Sequence, residues 1–271
     1  MSINSFSFVT NDRAKREAAV LVKSIRQFYG LPIYILCDTP SYDYLNDFGF
    51  NNLIFKVEAD PENLSETYKL ISKIKDKNSF HNKAMIYKKM DCIDWAVKEA
   101  GNTFFTDADI VFVKEVHQDI DERNELYLSP HNQFSRDKTK VIECNKIYGS
   151  MNAGYLWTQA SDFAQKWKDI YLNRSKFYEQ EGMIHFFEFF SIALFDHDHN
   201  VGFWKFDKRW VKGKLLLEEG FDFKTVKSFH YHNFKETYGH ADKGLKMGYN
   251  LLYKKIAPYI PKEIQDFKND L

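Results

Sequence analysis

The sequence predicts an α/β protein with a mixed, mainly parallel central sheet. In the first half of the chain, short apolar runs alternate with stretches of helical periodicity, which is the pattern of parallel strands joined by helices. Polar or acidic residues follow three of those runs, at Thr10-Asn11-Asp12, at Asp38 and at Asp107. Because ligands bind beyond the carboxyl ends of parallel strands, these positions predict a ligand crevice. No repeat and no linker rich in Pro, Gly and Ser divides the chain, so we expect one continuous domain.

Local signals predict each element of the first half. The run Ser5–Thr10 predicts a strand, and Asn11 and Asp12 are good N-caps for the helix that follows. That helix carries apolar residues at helical spacing from Ala18 onward and ends at Gly30, since glycine commonly terminates helices. The remaining elements are predicted as strands Leu31–Cys37, Asn52–Val57 and Thr103–Thr106, and as helices Leu64–Ile74 and Ser79–Gly101.

The second half is less regular. Two stretches, Ser161–Leu172 and Tyr178–Leu194, have helical periodicity, and short apolar runs predict strands between and after them. The strand candidates are Leu126–Leu128, Val141–Cys144, Gly154–Thr158, Val201–Phe206 and Ser228–His232. We therefore expect the parallel part of the sheet to come from the first half.

Composition argues against several classes of protein. Hydrophobic residues make up 44% of the 271 residues, which is enough to form a core and argues against disorder. Lys and Arg total 38, as do Asp and Glu, so the basic excess of a nucleic-acid-binding protein is missing. Three widely spaced cysteines form no CxxC pattern, which predicts buried thiols rather than disulfides or a zinc site. The first residues do not resemble a signal peptide and no apolar stretch is long enough for a transmembrane segment, so we expect a cytoplasmic protein.

Asp-x-Asp occurs three times, and the flanking residues distinguish the three copies. Asp119 and Asp121 lie in a polar stretch that predicts a solvated turn, and we expect the cluster Asp196–His199 to be a surface loop. Asp107 and Asp109 lie between two apolar runs, where a carboxylate pair is costly unless it is ligated or hydrogen-bonded. In an extended chain, residues two apart point to the same side, so both carboxylates would face one divalent cation. A capped turn is the alternative.

Two later segments carry further candidate site residues. Ser150–Trp157 places small and polar residues in a turn ahead of an apolar strand, which would let a ligand approach the backbone closely; an ordinary turn is the alternative. In the segment Ser228–Lys235, His230 and His232 share one strand face. A lone histidine is usually structural, and two histidines on one face near a strand end strengthen the case for a metal or phosphate role.

Taken in order, these segments resemble the GT-A nucleotide-sugar glycosyltransferases, which have a Rossmann-like fold, and in particular the group of glycogenin and the bacterial lipopolysaccharide galactosyltransferases. The matching segments are FVTND (Phe8–Asp12), the helix HNKAMIYKKMDCIDWA, the strand FFTDADIVF, the NAGYLW segment, EQE (Glu179–Glu181) and HYHNFK. Together they span residues 5–235. The last segment departs from the family, which usually continues from histidine through a glycine to Lys-Pro-Trp.

The resemblance implies a metal-dependent enzyme that moves a sugar from a nucleotide-diphosphate sugar, with a UDP-sugar as the expected donor, to a carbohydrate or other hydroxyl acceptor. Residues 1–115 would form the nucleotide-binding half of a single domain, and residues 116–271 the acceptor and sugar-binding half. The residues implied at the donor are Thr10, Asn11, Asp12, Asp38, His81, Lys83, Asp107, Asn152, Gly154 and Lys235.

The resemblance also implies a cofactor and catalytic residues. Mn²⁺ (or Mg²⁺) would be held by Asp107, Asp109 and one or both of His230 and His232. Gln180 would line the sugar pocket, and Glu181 or Glu179 would deprotonate the acceptor hydroxyl if the enzyme inverts. If the enzyme retains configuration, no protein base is required, and the sequence leaves this choice open.

Three other functions compete with this interpretation. A haloacid-dehalogenase-type phosphatase would use Asp107 as a nucleophile, but its motif normally opens the first strand of its domain, and here a long strand–helix alternation comes first. A sugar nucleotidyltransferase would need a Gly-rich phosphate loop near the N-terminus, which the sequence does not have. A non-catalytic sugar-binding module is the third alternative, against which the intact Asp107, Asp109 and histidines argue.

Overall fold

A computed structural model gives the fold of the chain. It describes residues 2–58, 83–131, 142, 145, 149–175, 179–202, 205, 222–231, 234, 250 and 252–271. The predicted helix Leu64–Ile74 and most of the predicted strand Val141–Cys144 lie outside the described residues. Within the described residues, no helix is both long and apolar enough to cross a membrane.

The first half of the chain forms alternating strands and helices, as predicted, but it also contains a helix, Thr39–Asn46, that was not predicted. In chain order they are β1 (Phe6–Val9), α1 (Lys15–Arg26), β2 (Ile33–Cys37), α2 (Thr39–Asn46), β3 (Leu53–Val57), α3 (Lys83–Ala100) and β4 (Thr103–Thr106). The predicted N-caps of α1 were wrong, because its N-cap is Ala14, which makes no side-chain bond. Asn11 instead stabilises the turn that precedes α1, where its Oδ1 accepts a hydrogen bond from the backbone N of Ala14 (3.3 Å).

The second half adds strands, one longer helix and short turns of 3-10 helix. They are β5 (Ile110–Phe112), a 3-10 turn (His117–Asp119), β6 (Leu126–Pro130), β7 (Met151–Thr158), α4 (Phe163–Asn173), a 3-10 helix (Glu181–Glu188), β8 (Ile192–Leu194), β9 (Ser228–His230), a helical segment at 252–256, a 3-10 turn (Ala257–Tyr259) and α5 (Lys262–Asp270). Of the predicted strand Val201–Phe206, the structure describes Val201, Gly202 and Lys205, and Val201 forms an isolated bridge to Phe229.

The predicted helix Tyr178–Leu194 was wrong. Its first described part is a 3-10 helix, and Ile192–Leu194 leaves the helical path to form β8. This strand pairs in parallel with β6, Leu126 lying opposite Ile192. The sequence has helical periodicity here, but pairing with β6 at the edge of the sheet determines the structure. Local sequence patterns do not contain information about such pairing.

Seven strands form one mixed sheet in the order β3-β2-β1-β4-β7-β6-β8. The strands β1 to β4 pair in parallel, β7 runs antiparallel to β4 and β6, and β8 is parallel to β6. A second sheet has two antiparallel strands, β5 and β9. The mixed, mainly parallel α/β fold is confirmed, and the carboxyl ends of β1, β2 and β4 lie at one edge of the large sheet.

Apolar side chains cover both faces of the large sheet. Phe104 and Phe105 are consecutive and fully buried, and they belong to two different core clusters because neighbouring strand residues point to opposite faces. One cluster packs β4 against α3 and α4, and the other packs it against α1. Cys37 and Cys92 are buried free thiols, as predicted for these two cysteines. With both faces packed, a ligand has access to the sheet from its edge.

Candidate active site

Asp107 and Asp109 lie in the turn that connects β4 to β5. The expectation of an extended chain was wrong here, because Ala108 and Asp109 form a turn where the chain leaves the large sheet for the small one. The backbone N of Asp107 donates to the carbonyl of Gly154 (2.8 Å), and the carbonyl of Asp109 accepts from the backbone N of Tyr231 (3.1 Å). The turn is thus held to β7 on one side and to the end of β9 on the other.

This turn brings both carboxylates to His230. One ligand atom from each of Asp107, Asp109 and His230 lies within 4.8 Å of the other two. His230 Nε2 is 3.1 Å from Asp109 Oδ1, because β5 and β9 pair with Ile110 opposite His230. Two carboxylate oxygens and one imidazole nitrogen form a donor set that fits Mn²⁺. Mg²⁺ also binds carboxylate oxygens, but it has a weaker preference for an imidazole nitrogen. The residues present therefore fit the divalent cation that the sequence analysis expects.

Lys89 is a residue of this site that the sequence analysis missed. Its Nζ lies 2.7 Å from Asp107 Oδ1 and 3.6 Å from Glu179 Oε1. Burial alone would lower the pKa of Lys89, but the carboxylates of Asp107 and Glu179 outweigh burial and raise it. A sequence signal exists, since Lys89 lies three residues after Ile86 and four before Ile93, on the apolar face of α3. A lysine in that position indicates a buried anionic partner.

Asn152 and Gly154 lie inside β7, so the predicted turn ahead of the strand was wrong. A Cβ added at Gly154 would be 2.0 Å from Asp107 Oδ2, so only glycine leaves room for that carboxylate. Asn152 Oδ1 accepts from the backbone N of Gly154 (2.9 Å). Gln180 Oε1 accepts from the backbone N of Ala153 (3.1 Å), which places Gln180 beside the same stretch of β7.

Glu179 and Glu181, the two candidates for a base, have different surroundings. Glu179 is buried and shares Lys89 with Asp107. Its Oε2 has no hydrogen-bond partner within the described part of the chain, so a polar ligand group would satisfy it. Glu181 is half-buried at the start of the 3-10 helix. The shared lysine connects Glu179 to Asp107.

His131 is a second residue that the sequence analysis missed. Its Nδ1 donates to the carbonyl of Gly149 (3.2 Å), and its Nε2 accepts from Asn152 Nδ2 (3.0 Å). Burial lowers the pKa of His131 to about 4, so the ring is neutral at pH 7. A neutral ring with these two bonds fixes which way the Asn152 amide points. No sequence pattern identifies this histidine, because its partners are about twenty residues away.

The residues after β1 and β2 lie together at the same edge of the sheet. The backbone N of Asp12 donates to Asp38 Oδ2 (2.9 Å), and the Thr10 backbone N donates to the carbonyl of Leu36 (3.1 Å). Asp38 Oδ1 also accepts from the Ser41 backbone N (3.1 Å) and caps α2. Both carboxylate oxygens of Asp38 therefore hold backbone groups. The Thr10 hydroxyl is buried and has no partner among the described residues.

The structure does not describe the side chains of four candidate residues. His81, His232 and Lys235 lie outside the described residues, and Lys83 is described only as the first residue of α3. Their assignment to the donor or to the metal remains a prediction. His230 is the histidine of the pair that the described structure places beside Asp109.

The other two Asp-x-Asp copies lie outside the Asp107–Asp109–His230 cluster. Asp121 is partly exposed at a turn, as predicted, and it pairs with Arg123. The prediction was wrong for Asp119, which forms an ion pair with Lys227 and lies 3.2 Å from His199 Nε2. Asp196 and His197 are exposed, whereas His199 is buried. The predicted surface loop was therefore wrong for His199, whose Nδ1 contacts the Tyr155 hydroxyl at 2.9 Å.

Gly154→Ala is expected to displace the Asp107 carboxylate and so to weaken the binding of Mn²⁺ to Asp107, Asp109 and His230 by about tenfold or more. The new methyl group would occupy the position of Asp107 Oδ2. Gly30→Ala is the matched control, because nothing lies within 4 Å of a Cβ at Gly30. Mn²⁺ titrations of both variants check this, and an unchanged metal requirement in Gly154→Ala would contradict it.

The fold is similar to that of solved glycosyltransferase structures. Two are of the galactosyltransferase LgtC, one an active-site mutant and one in complex with donor and acceptor sugar analogues; each has a TM-score of 0.57 and 12% identity, covering 97% of this chain and 99% of that chain. The bifunctional glycosyltransferase WbbM in its apo form has a TM-score of 0.52 and 12% identity, covering 85% of this chain and 46% of that chain. No protein-family model matches the sequence, and no curated protein matches it. The chain thus has the GT-A fold that the sequence predicts.

Proposed function

We propose that this protein is a glycosyltransferase that uses Mn²⁺ or Mg²⁺ to move a sugar from a nucleotide-diphosphate sugar, with UDP as the expected nucleotide, to a hydroxyl acceptor. The observation that carries the proposal is the cluster of Asp107, Asp109 and His230, whose ligand atoms converge at the carboxyl edge of β4. Ligands of open α/β sheets bind at this edge. The complex of LgtC with donor and acceptor sugar analogues supports the same two classes of ligand for this chain.

The chemistry of transfer requires that negative charge on the leaving diphosphate be stabilised. When bound, the divalent cation would supply that stabilisation through the diphosphate oxygens. Asp107 and Asp109 would contribute two hard oxygen ligands, and His230 would contribute one nitrogen. Lys89 holds the Asp107 carboxylate through its 2.7 Å ion pair and so limits the rotation of that ligand.

The sugar of the donor would lie against β7. The Asn152 amide, which His131 orients, and the Asp107 carboxylate that packs against Gly154 form a small polar surface there. Gln180 adjoins it through its bond to Ala153. The unsatisfied Oε2 of Glu179 would accept a hydrogen bond from a sugar hydroxyl or from the acceptor.

The nucleoside would lie beyond β1 and β2. The buried Thr10 hydroxyl and the residues Asn11 and Asp12 supply polar groups there, and Asp38 keeps the two strand ends together. In this proposal residues 1–115 bind the nucleotide and residues 116–271 bind the sugar and the acceptor. The buried free thiols of Cys37 and Cys92 are typical of a reducing compartment and support a cytoplasmic enzyme.

The proposal predicts slow release of UDP from a UDP-sugar in the presence of Mn²⁺, even without acceptor, and loss of that release in excess EDTA. UDP with Mn²⁺ at a hundred times its dissociation constant should also stabilise the fold by about 2.7 kcal/mol in a thermal-shift assay. A panel of UDP-, GDP- and CDP-sugars, each with Mn²⁺, Mg²⁺ or EDTA, identifies the donor.

Other results would favour the alternatives. Rapid hydrolysis of p-nitrophenyl phosphate, with no release of UDP, would indicate the phosphatase that uses Asp107 as a nucleophile. Stabilisation by UDP and Mn²⁺ with no turnover of any donor would indicate a sugar-binding module. Release of UDP that continues unchanged in EDTA would contradict the metal dependence.

A further inference from the structure

Asn200 lies behind His230, on the side of the imidazole ring away from Asp109. Its Oδ1 accepts a hydrogen bond from His230 Nδ1 (2.8 Å), while His230 Nε2 lies 3.1 Å from Asp109 Oδ1. Asn200 is fully buried. It belongs to none of the motifs in the sequence, and it follows the Asp196–His199 cluster along the chain.

Two serines fix the Asn200 side chain and backbone. Asn200 Nδ2 donates to the Ser129 hydroxyl (2.9 Å), and the Asn200 backbone N donates to the Ser228 hydroxyl (2.8 Å). Ser129 lies at the irregularity in β6, where the register with β7 shifts after Leu128. Such a bulge commonly re-aims a side chain beside a functional site. Asn200 thus connects the large sheet, through Ser129, to the small sheet, through Ser228 and His230.

The backbone at Asn200 explains the residue type. Its φ is +53°, in the left-handed region, where asparagine is one of the few residues with a side chain that is commonly found. Aspartate and glycine also adopt this conformation without a large penalty. This position therefore accepts substitutions that change the hydrogen bond to His230 and keep the backbone.

The hydrogen bonds decide which nitrogen of His230 carries a proton. With Nδ2 of Asn200 directed at Ser129, Oδ1 is left to face the imidazole, and an acceptor there requires Nδ1 to carry hydrogen. In a neutral ring, Nε2 is then the nitrogen without hydrogen, and its lone pair faces Asp109 and Asp107. A histidine that ligates a metal through one nitrogen usually donates the other N–H to such an outer partner.

We propose that Asn200 is a positioning residue that holds His230 with hydrogen on Nδ1 and Nε2 directed at the divalent cation. This inference rests on the proposed function, since it needs a cation at Asp107, Asp109 and His230. Asn200 acts through His230 and does not contact the donor or the cation. Ser129 contributes to holding His230, because it orients the Asn200 amide.

Binding of Mn²⁺ in the presence of saturating UDP tests this, with free Mn²⁺ counted by electron paramagnetic resonance. Asn200→Gly keeps the left-handed backbone and removes the acceptor, so we expect Mn²⁺ affinity to fall by about ten- to a hundredfold. Asn200→Asp keeps an acceptor for Nδ1, and the Ser129 hydroxyl can turn to donate to it, so affinity should stay within about threefold of wild type. Asn52→Gly is the matched control, because Asn52 also has a positive φ, of +56°, and lies before β3 at the opposite edge of the sheet.

A second variant and a second measurement keep the test independent of stability. Ser129→Ala removes one buried hydroxyl and frees the Asn200 amide to turn its NH₂ toward Nδ1, so Mn²⁺ affinity should fall by about three- to tenfold. Nitrogen-15 NMR of the Mg²⁺- and UDP-loaded protein should show hydrogen on Nδ1 of His230 in wild type and in Asn200→Asp. A loss of that signature in Ser129→Ala would support the role of the amide.

The outcomes separate the two proposals. A wild type that binds no Mn²⁺ with UDP would overturn the proposed metal dependence and this inference with it. Wild-type affinity in Asn200→Gly, or in Ser129→Ala if the glycine variant does not fold, would overturn this inference alone. Equal losses of Mn²⁺ affinity in Asn200→Gly and Asn200→Asp would also overturn it, because the hydrogen-bond acceptor kept in Asn200→Asp would then not have preserved Mn²⁺ binding.

Discussion

Asp109→Asn is expected to lower the rate of sugar transfer by at least about a hundredfold while leaving the fold intact. The substitution keeps the shape of the side chain and removes the negative charge that a divalent cation would pair with. The backbone carbonyl of Asp109 still accepts from Tyr231, so the turn between β4 and β5 should persist. Release of UDP at saturating donor, measured over a range of Mn²⁺ concentrations, checks the prediction.

Asp121→Asn is the matched control for that change. Asp121 is in another Asp-x-Asp copy, is partly exposed, and is paired with Arg123. Hydrogen bonds from Arg123 lower the pKa of Asp121 to about 2, so its carboxylate is charged at pH 7. The same loss of one carboxylate charge should leave activity unchanged there. An equal loss of activity in both variants would mean that net charge, and not ligation at Asp109, controls the reaction.

The strands of the first half and the helices α1 and α3 could be predicted because they depend on local patterns, whereas α2 was missed. Each predicted strand from Ser5 to Thr106 contains the observed strand, with ends that differ by at most two residues. Apolar runs, helical spacing and terminating glycines act within a few residues, so they can be found in one sequence. Strand order, the separate β5–β9 sheet and the edge strand β8 depend on pairing between distant segments, which local patterns do not contain.

The same distinction applies to the site. Asp107 and Asp109 could be predicted as a pair because their apolar flanks are adjacent to them in the sequence. His230 could be proposed from its alternation with His232, but its contact with Asp109 is made by the pairing of β9 with β5. Neither apolar flanking residues nor a regular spacing to other site residues identifies Asn200 and His131 in the sequence. Their roles follow from hydrogen bonds across the junction of β6, β7 and β9, which are visible in three dimensions alone.

Lys89, Asp107 and Glu179 form one group of charges that carries an excess of negative charge before any ligand binds. Lys89 supplies one positive charge to two carboxylates, one of which is almost fully buried. In the proposed function, a donor diphosphate would add further negative charge to this region, and a divalent cation would offset it. The acidic pair and the lysine are therefore parts of one charge arrangement, and changing either should affect both stability and metal binding.

Lys89→Met is expected to destabilise the metal-free protein by roughly 3 kcal/mol, which is at the lower end for a broken buried pair because Asp107 is partly exposed. Methionine fills a similar volume in the apolar face of α3, so the loss should come from charge and not from packing. Asp107 and Glu179 would then face each other without a cation between them. Thermal unfolding in EDTA measures the effect, and for a chain of this size the expected shift in Tm is about 6–12 °C.

Two further variants separate charge from packing. Lys89→Met combined with Glu179→Gln should recover a large part of the lost stability, because one of the two unpaired carboxylates is gone. Lys98→Met is the control on the same helix; its ammonium is exposed and its ion pair with Asp94 is of the kind worth about 1 kcal/mol or less. Mn²⁺ should stabilise Lys89→Met more than wild type, since the cation would replace the missing positive charge beside Asp107. If Lys89→Met unfolded at the same temperature as Lys98→Met, then Lys89 would not balance these carboxylates, and the charge arrangement derived from its 2.7 Å contact would be wrong.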